Sequence, residues 1–241
     1  MRSNKQTISA LMLALAMATG VTLTARAGEA VALTHVHGLS YSADGSRLMI
    51  PSHHGLAIYE TGGKGRWSKA EGPSHDYMGF SATGKALYSS GHPAPGSGLT
   101  NPFGLIKSVD GGKTWSKLGL EGESDFHLLA TSYGTNAVYV HNFGRNSRMS
   151  QPGLYHTEND GFKWTHATAK SLGGEIKSLA VHPTNSRIVA VGTTDGLYLS
   201  RDAAESFERL VPGGQVLGAT FDLDGAHLWF STYAGKATLS R

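Results

Sequence analysis

The sequence predicts an all-β fold, a β-propeller of five four-stranded blades. Five segments that each begin a strand align without gaps at spacings of 41, 49, 50 and 40 residues, the length of one such blade. Gly accounts for 32 of the 241 residues, which fits many tight turns and argues against a helical bundle. The aligned segments begin at His35, Asp76, Asp125, Glu175 and Gln215.

Each aligned segment is followed by a turn and a second apolar strand, as expected for sheets built from consecutive hairpins. The fifth unit has only three predicted strands and ends at Arg241. We therefore expect Glu29 to Thr34 to supply its missing outer strand and to close the ring. A β-sandwich is the alternative all-β fold, but it does not explain the regular period.

The first 27 residues are typical of a cleavable signal peptide. Arg2 and Lys5 precede an apolar stretch from residue 8 to 23, and Ala25-Arg26-Ala27 is a small-residue cleavage site. A membrane anchor is the alternative, but the stretch is shorter than the ~20 residues that a spanning helix needs. Residues 28–241 are predicted to be a single propeller domain, periplasmic or secreted, with no further membrane span.

The composition of the mature chain excludes several classes of function. Three of the 21 Lys and Arg residues lie in the leader, which leaves 18 basic residues against 18 acidic ones. Without a basic cluster, nucleic acid is a poor candidate partner. The chain has no Cys, which excludes disulfides, cysteine-based zinc fingers, iron–sulfur clusters and a thiol nucleophile.

An eight-residue turn recurs along the chain. Residues 108–115 read SVDGGKTW, weaker copies occupy 157–164 and 200–207, and a degenerate fourth covers 59–67. In each, an apolar strand leads into a turn, and an aromatic residue closes the hairpin. The Asp side chain can accept hydrogen bonds from turn amides, and Gly readily takes the positive φ that such a turn requires.

The SVDGGKTW segment resembles the Asp-box, or BNR, repeat of sialidases, sortilin-type receptors and many exported bacterial propellers. This resemblance implies a propeller whose boxes lie on the outer hairpins, away from the functional site. It does not extend to the sialidase site, which needs an Arg cluster for the substrate carboxylate. None of the eight Arg of the mature chain occurs in the Arg-Ile-Pro sequence of that family or on a predicted inner strand.

The order of motifs is also similar to that of a group of exported bacterial proteins labelled sialidase-like or glycosyl hydrolase. The resemblance covers about residues 31–207 and brings no established reaction with it. The fifth unit departs from it by lacking the turn motif, which leaves the blade number and ring closure open. The shared motifs are HVHGL at 35–39, HHGL at 53–56, DYMGF at 76–80, SGHP at 90–93, NPFGL at 101–105 and DFH at 125–127.

Polar residues stand on the predicted inner strands where a structural strand would carry Val or Ile. The first aligned positions form one predicted ring around the channel, and the residues two positions on, on the same side of each strand, form a second. The second strands add further histidines near the same channel mouth, namely His53, His54, His92 and His141. The second ring consists of His37, Met78, His127, Lys177 and Leu217.

These residue types suit a transition metal, and copper is the predicted ion. Imidazole offers a lone pair to borderline metals, and a thioether prefers Cu(I). His37, Met78 and His127 are the predicted primary ligands. His35, His53 and His92 are further candidate ligands, and Asp76 and Asp125 are carboxylate ligands or orient the histidines.

Three classes of function therefore stay open. The first is periplasmic metal handling, with a metal ion or small ligand bound at the channel mouth. The second is a glycoside hydrolase that uses two channel carboxylates, with Asp76, Asp125 and Glu175 as candidates. The third is a non-catalytic scaffold for a periplasmic protein, in which the histidines are ordinary hydrogen-bonded residues and Met78 fills the core.

Overall fold

The protein is an all-β propeller of five blades, as the sequence predicts. The computed structural model describes residues 33–42, 44–62 and 65–241, in which nineteen strands form five antiparallel sheets. Four sheets have four strands, and the fifth has three among the described residues. The predicted signal peptide and most of the predicted closing strand, residues 29–32, lie outside the described residues.

Consecutive strands pair as hairpins in every sheet. Sheet one contains β1 (Ser40–Tyr41), β2 (Arg47–Ser52), β3 (Gly55–Glu60) and β4 (Arg66–Lys69). Sheet two contains β5 (Asp76–Ala82), β6 (Leu87–His92), β7 (Leu105–Ser108) and β8 (Ser116–Gly119). Sheet three contains β9 (Leu129–Thr131), β10 (Val138–Asn142), β11 (Gly153–Thr157) and β12 (Thr165–His166).

The last two sheets follow the same order. Sheet four contains β13 (Ile176–Val181), β14 (Val189–Thr193), β15 (Gly196–Ser200) and β16 (Glu208–Pro212). Sheet five contains β17 (Gln215–Phe221), β18 (Leu228–Tyr233) and β19 (Ala237–Ser240). The first strands of the sheets, β1, β5, β9, β13 and β17, contact one another in sequence order and are therefore the inner strands.

The core consists of four apolar clusters, one between each pair of consecutive sheets. Met49 and Phe80 belong to the cluster between sheets one and two, and Tyr88 and Val138 belong to the next. Tyr139 and Val189 join sheets three and four, and the last cluster, which includes Val216, joins sheets four and five. Radial packing of this kind leaves the inner strands facing a central channel.

The two ends of the sheet series are more exposed than its middle. The exposed apolar residues include Val36 and Leu39 just before β1, Tyr41 in β1, and Leu217 and Tyr233 of sheet five. Leu33 and Thr34, the described part of the predicted closing strand, belong to no strand. The carbonyl of Thr34 instead accepts the backbone N–H of His53 at 3.5 Å, beside the end of β2.

The repeated turn has the same hydrogen bonds in its three clearest copies. In the first, Ser108 donates its hydroxyl to Asp110, and the Asp110 carboxylate accepts the backbone N–H of Thr114 at 2.9 Å. Asn159 and Asp202 accept the equivalent backbone N–H groups in the other copies, at 2.9 and 3.0 Å. The two central residues have positive φ in all three copies: Gly111 and Gly112, Asp160 and Gly161, and Ala203 and Ala204.

A β-bulge interrupts three of the inner strands at the same place. The pairing between inner and second strand skips Met78 in β5, Lys177 in β13 and Leu217 in β17. These are aligned positions of the second predicted ring. Because a bulge bends a strand and redirects its side chains, it commonly occurs next to a functional site.

No helix in the described part of the chain is long and apolar enough to cross a membrane.

Candidate metal centre at the channel mouth

The pairing of inner and second strands brings the candidate residues to one end of the channel. Asp76, the first residue of β5, lies directly opposite His92, the last residue of β6. His53 directly follows the last residue of β2. An inner strand therefore begins where the second strand of its sheet ends, so that both contribute side chains to one mouth.

His37, His53 and Asp76 form a group with metal-ligand geometry. One potential ligand atom from each residue lies within 4.8 Å of the others. Nε2 of His53 is 3.8 Å from Oδ1 of Asp76. The ring of His53 stacks with two others, with centroids 4.5 Å from His35 and 5.1 Å from His37. Three imidazoles and a carboxylate thus come together from two blades.

Two polar atoms of this group lack a partner. Nε2 of His37 and Oδ1 of Asp76 are buried and accept or donate no hydrogen bond among the described residues. A buried polar atom without a hydrogen bond costs about 1–3 kcal/mol. A cation bound between these atoms would satisfy both.

Burial keeps His37 in the form that a metal ion requires. Desolvation is the main cause that lowers the pKa of His37, and the neighbouring imidazoles of His53, His127 and His35 lower it further. The carboxylate of Asp76 acts in the opposite direction but does not reverse the shift. At neutral pH the imidazole is therefore uncharged, with a lone pair free for a ligand bond.

A second group surrounds Asp125. Its Oδ2 lies 2.7 Å from Nε2 of His127 and 3.1 Å from Nε2 of His92, while its Oδ1 is buried and has no hydrogen-bond partner within the described ranges. Nδ1 of His92 lies 2.7 Å from Oδ1 of Asn101, in the long loop between β6 and β7. Asn101 is not among the residues predicted as ligands, although it lies in the NPFGL motif.

The remaining predicted site residues are distributed differently. Met78 is the bulged residue of β5, between the two groups in sequence position, and its role as a ligand stays a prediction. The carboxylate of Glu175 is 72% exposed and forms an ion pair with Lys177 at 2.8 Å. The structure therefore places Asp76 and Asp125 each beside histidines, whereas Glu175 is exposed and lies beside a lysine.

His141 lies near the end of β10, and its buried Nδ1 has no hydrogen-bond partner in the part of the chain that the structure describes. Desolvation lowers its pKa, and its ring contacts that of Phe143 with centroids 4.6 Å apart. Among the described residues, the ring of His141 contacts neither of the two histidine–aspartate groups. His141 is therefore not part of the candidate centre.

Comparison with known proteins supports the fold alone. No known family profile matches the chain, and no curated protein matches it. Among solved structures, it is similar to a putative gluconolactonase (TM-score 0.58, 18% identity, 87% of this chain and 75% of that one). It is also similar to a gluconolactonase from Xanthomonas campestris (TM-score 0.57, 14% identity, 82% and 69%).

A GH74 xyloglucanase from Xanthomonas campestris is a further structural neighbour (TM-score 0.56, 15% identity). The similarity covers 89% of this chain but only 37% of the xyloglucanase. At these identities the likeness defines the class of protein as a β-propeller. The resemblance of the turns to Asp-box repeats stays a prediction from sequence.

Proposed function

We propose that this β-propeller binds a transition metal ion at the mouth of its channel, through His37, His53 and Asp76. The main support is that this group contains two buried atoms without a hydrogen-bond partner among the described residues, Nε2 of His37 and Oδ1 of Asp76. Two imidazoles and a carboxylate suit Zn(II), Cu(II) and Fe(II). The lowered pKa of His37 keeps one of those ligands uncharged at neutral pH.

Copper is the first candidate among these ions. Met78 lies two residues after Asp76 at the bulge of β5, and a thioether favours Cu(I) over zinc. An exported protein without Cys can bind copper through His and Met without thiol oxidation. Together with the predicted signal peptide, this donor set supports metal handling in the periplasm.

A glycoside hydrolase is the second candidate, because a structural neighbour is a xyloglucanase. Hydrolysis would need an acid and a nucleophile or base from the carboxylates of the mouth. Oδ2 of Asp125 already contacts two imidazoles, and Glu175 is paired with Lys177. These contacts favour a carboxylate that orients histidines or binds a cation over one that protonates a leaving group.

The test is a metal titration of residues 28–241 with Cu(I), Cu(II) and Zn(II) against a competing chelator. We expect wild type to bind metal and the His37→Ala/His53→Ala variant to lose affinity. The His37→Ala/His127→Ala variant tests the ligand set predicted from sequence. His54→Ala is the matched control, because this exposed neighbour of His53 lies outside the group.

Failure of wild type to bind any of the three ions more tightly than the chelator would refute the metal function. The hydrolase alternative would then be tested with a glycoside screen, in which Asp76→Asn and Asp125→Asn should abolish turnover. A scaffold would show neither effect and would be identified by recovery of a periplasmic partner protein.

A further inference from the structure

We infer that a cleft on sheet three binds an anionic monosaccharide, a sugar that carries one carboxylate or phosphate group. The cleft has a volume of about 440 Å³, and none of its lining residues lies on an inner strand. It is lined by the loop segment 145–150, between β10 and β11, and by Tyr155, Trp164 and His166 of the hairpin that follows. Sites for small molecules typically have volumes of about 300–1,000 Å³, so a single sugar ring fits.

Two arginines give the cleft a positive charge that its other lining residues do not balance. Arg145 and Arg148 line it, and no Asp or Glu does among the described residues. Neither arginine forms an ion pair within the described ranges, and Arg145 forms no hydrogen bond there either. Because a guanidinium can donate two parallel hydrogen bonds to a carboxylate or a phosphate, these side chains favour an anionic ligand.

Arg148 is already held in position by the protein. Its Nη1 donates to the carbonyl of Gly161 at 2.6 Å and to that of Leu118 at 3.2 Å. Its Nη2 and Nε have no hydrogen-bond partner in the part of the chain that the structure describes, so they can donate to a ligand. A donor that is fixed beforehand loses less conformational freedom when a ligand binds.

The loop that carries both arginines is fixed as well. Met149 is only 1% exposed and belongs to the core cluster between sheets two and three. Oδ1 of Asn146 accepts the backbone N–H of Arg148 at 2.9 Å, and Glu123 accepts the backbone N–H of Ser147 at 2.6 Å. The cleft is therefore largely formed without a ligand.

The position of Arg148 leaves another polar group without a partner. In the first copy of the repeated turn, Nε1 of Trp115 donates to the carbonyl of Gly112. In the second copy Arg148 takes the equivalent carbonyl, of Gly161, and the buried Nε1 of Trp164 has no partner among the residues described. A buried N–H without an acceptor is costly, and proteins break such a local rule mainly at functional sites.

The other lining residues suit a sugar ring. The ring of His166 contacts that of Tyr155 with centroids 4.7 Å apart, and the half-buried Trp164 lines the cleft beside them. Aromatic rings offer an apolar face, which can pack on the C–H face of a sugar. The hydroxyl of Ser150, which is exposed, can donate to or accept from a sugar hydroxyl.

The experiment is a calorimetric titration of residues 28–241 with glucuronate, glucose 6-phosphate, glucose and inorganic phosphate, in the presence of a metal chelator. We expect the two anionic sugars to bind at least about tenfold more tightly than glucose or inorganic phosphate. Arg145→Ala and Arg148→Ala should each weaken that binding by about tenfold or more, because each removes a charge-assisted hydrogen bond. Arg201→Ala is the matched control, since this exposed arginine does not line the cleft.

Several results would overturn the inference. Equal affinities for glucose and the anionic sugars would refute it, as would unchanged affinity in both cleft variants. Inorganic phosphate that bound as tightly as glucose 6-phosphate would show that the sugar ring is not recognised. Arg145 has no partner to lose among the described residues, so Arg145→Ala keeps the test valid if Arg148→Ala does not fold. Because the chelator removes metal ions, these results do not bear on the proposed metal function.

Discussion

Asp76 and Asp125 are aligned residues of successive repeat units, and each carboxylate faces an imidazole that the preceding unit contributes. The partner of Asp76 is His53, and that of Asp125 is His92. His92 also lies directly opposite Asp76 across β5 and β6. His92 therefore pairs with Asp76 through the strand register and with Asp125 through its ring, so that a change at one aspartate can affect the other.

Asp76→Asn should lower the affinity for Zn(II) and Cu(II) by at least about tenfold, because the neutral amide is a weaker ligand than a carboxylate. The measurement is a titration against a chelator. Glu175→Gln is the control, since its carboxylate is exposed and paired with Lys177. If Asp76→Asn instead abolished hydrolysis of a glycoside and left metal affinity unchanged, the hydrolase would replace the metal-binding function.

Gly79→Ala should destabilise the protein by about 1–3 kcal/mol, the usual cost of an overpacked core. A Cβ at Gly79 would collide with the carbonyl of Phe126 and lie 3.0 Å from Cβ of Leu129. Because β5 begins at Asp76, a ligand of the proposed metal group, a shift of this strand should also weaken metal binding. Urea unfolding and a metal titration measure the two effects.

Gly144→Ala is the matched control, since a Cβ there meets no atom within 4 Å. Equal stabilities of the two alanine variants would show that sheets two and three can move apart at no cost. Unchanged metal affinity in Gly79→Ala would show that metal binding at Asp76 does not depend on the packing of β5 against Phe126.

The number of sheets can be predicted from the sequence because each sheet is formed by one consecutive repeat of the chain, and these repeats can be aligned directly. Aligned polar residues mark the starts of the inner strands, and the strands β5, β13 and β17 begin at or next to these residues. The bulges at Met78, Lys177 and Leu217 could not be predicted, because a bulge depends on pairing with the second strand.

The candidate site was predictable only as a set of residue types. Spacing places His37 and His127 on one ring, but side-chain geometry joins His37 with His53 and Asp76, and joins His127 with Asp125. Which imidazole meets which carboxylate depends on contacts between blades, and these are not visible in the period of the chain. For the same reason the contact between His92 and the loop residue Asn101 could not be predicted.

Asp110→Ala should lower the free energy of unfolding more than Asp110→Asn. Hydrogen bonds from the hydroxyl and the backbone N–H of Thr114, and from Ser108, lower the pKa of Asp110 to about 2. An asparagine can accept from the same backbone group, as Asn159 does in the second copy. Urea unfolding measures both variants, and equal losses would show that the charge, and not the acceptor, stabilises the turn.

The same shift gives a pH dependence. The folded pKa of Asp110 is lower than the unfolded one, near 3.8, so its contribution to stability is complete above that pH. It should be lost as the pH falls from about 3.8 towards 2, where the folded form also binds the proton. Asp110→Asn should not show this part of the acid dependence.

Trp115→Phe and Trp164→Phe should differ in cost although they remove the same indole. Nε1 of Trp115 donates to the carbonyl of Gly112 at 3.2 Å. The equivalent carbonyl, of Gly161, instead accepts a hydrogen bond from Nη1 of Arg148 at 2.6 Å, and the buried Nε1 of Trp164 has no partner among the residues described. Removing an unpartnered buried donor loses no hydrogen bond, whereas Trp115→Phe loses one worth about 0.5–1.5 kcal/mol.

We therefore expect Trp115→Phe to be the more destabilising variant by about that amount in urea unfolding. Arg148→Ala frees the carbonyl of Gly161, so that the indole of Trp164 can donate to it as Trp115 does in the first copy. In the Arg148→Ala background, Trp164→Phe should then become costly, and the coupling between the two substitutions measures the competition for this carbonyl. Additive effects would show that Arg148 does not displace the indole.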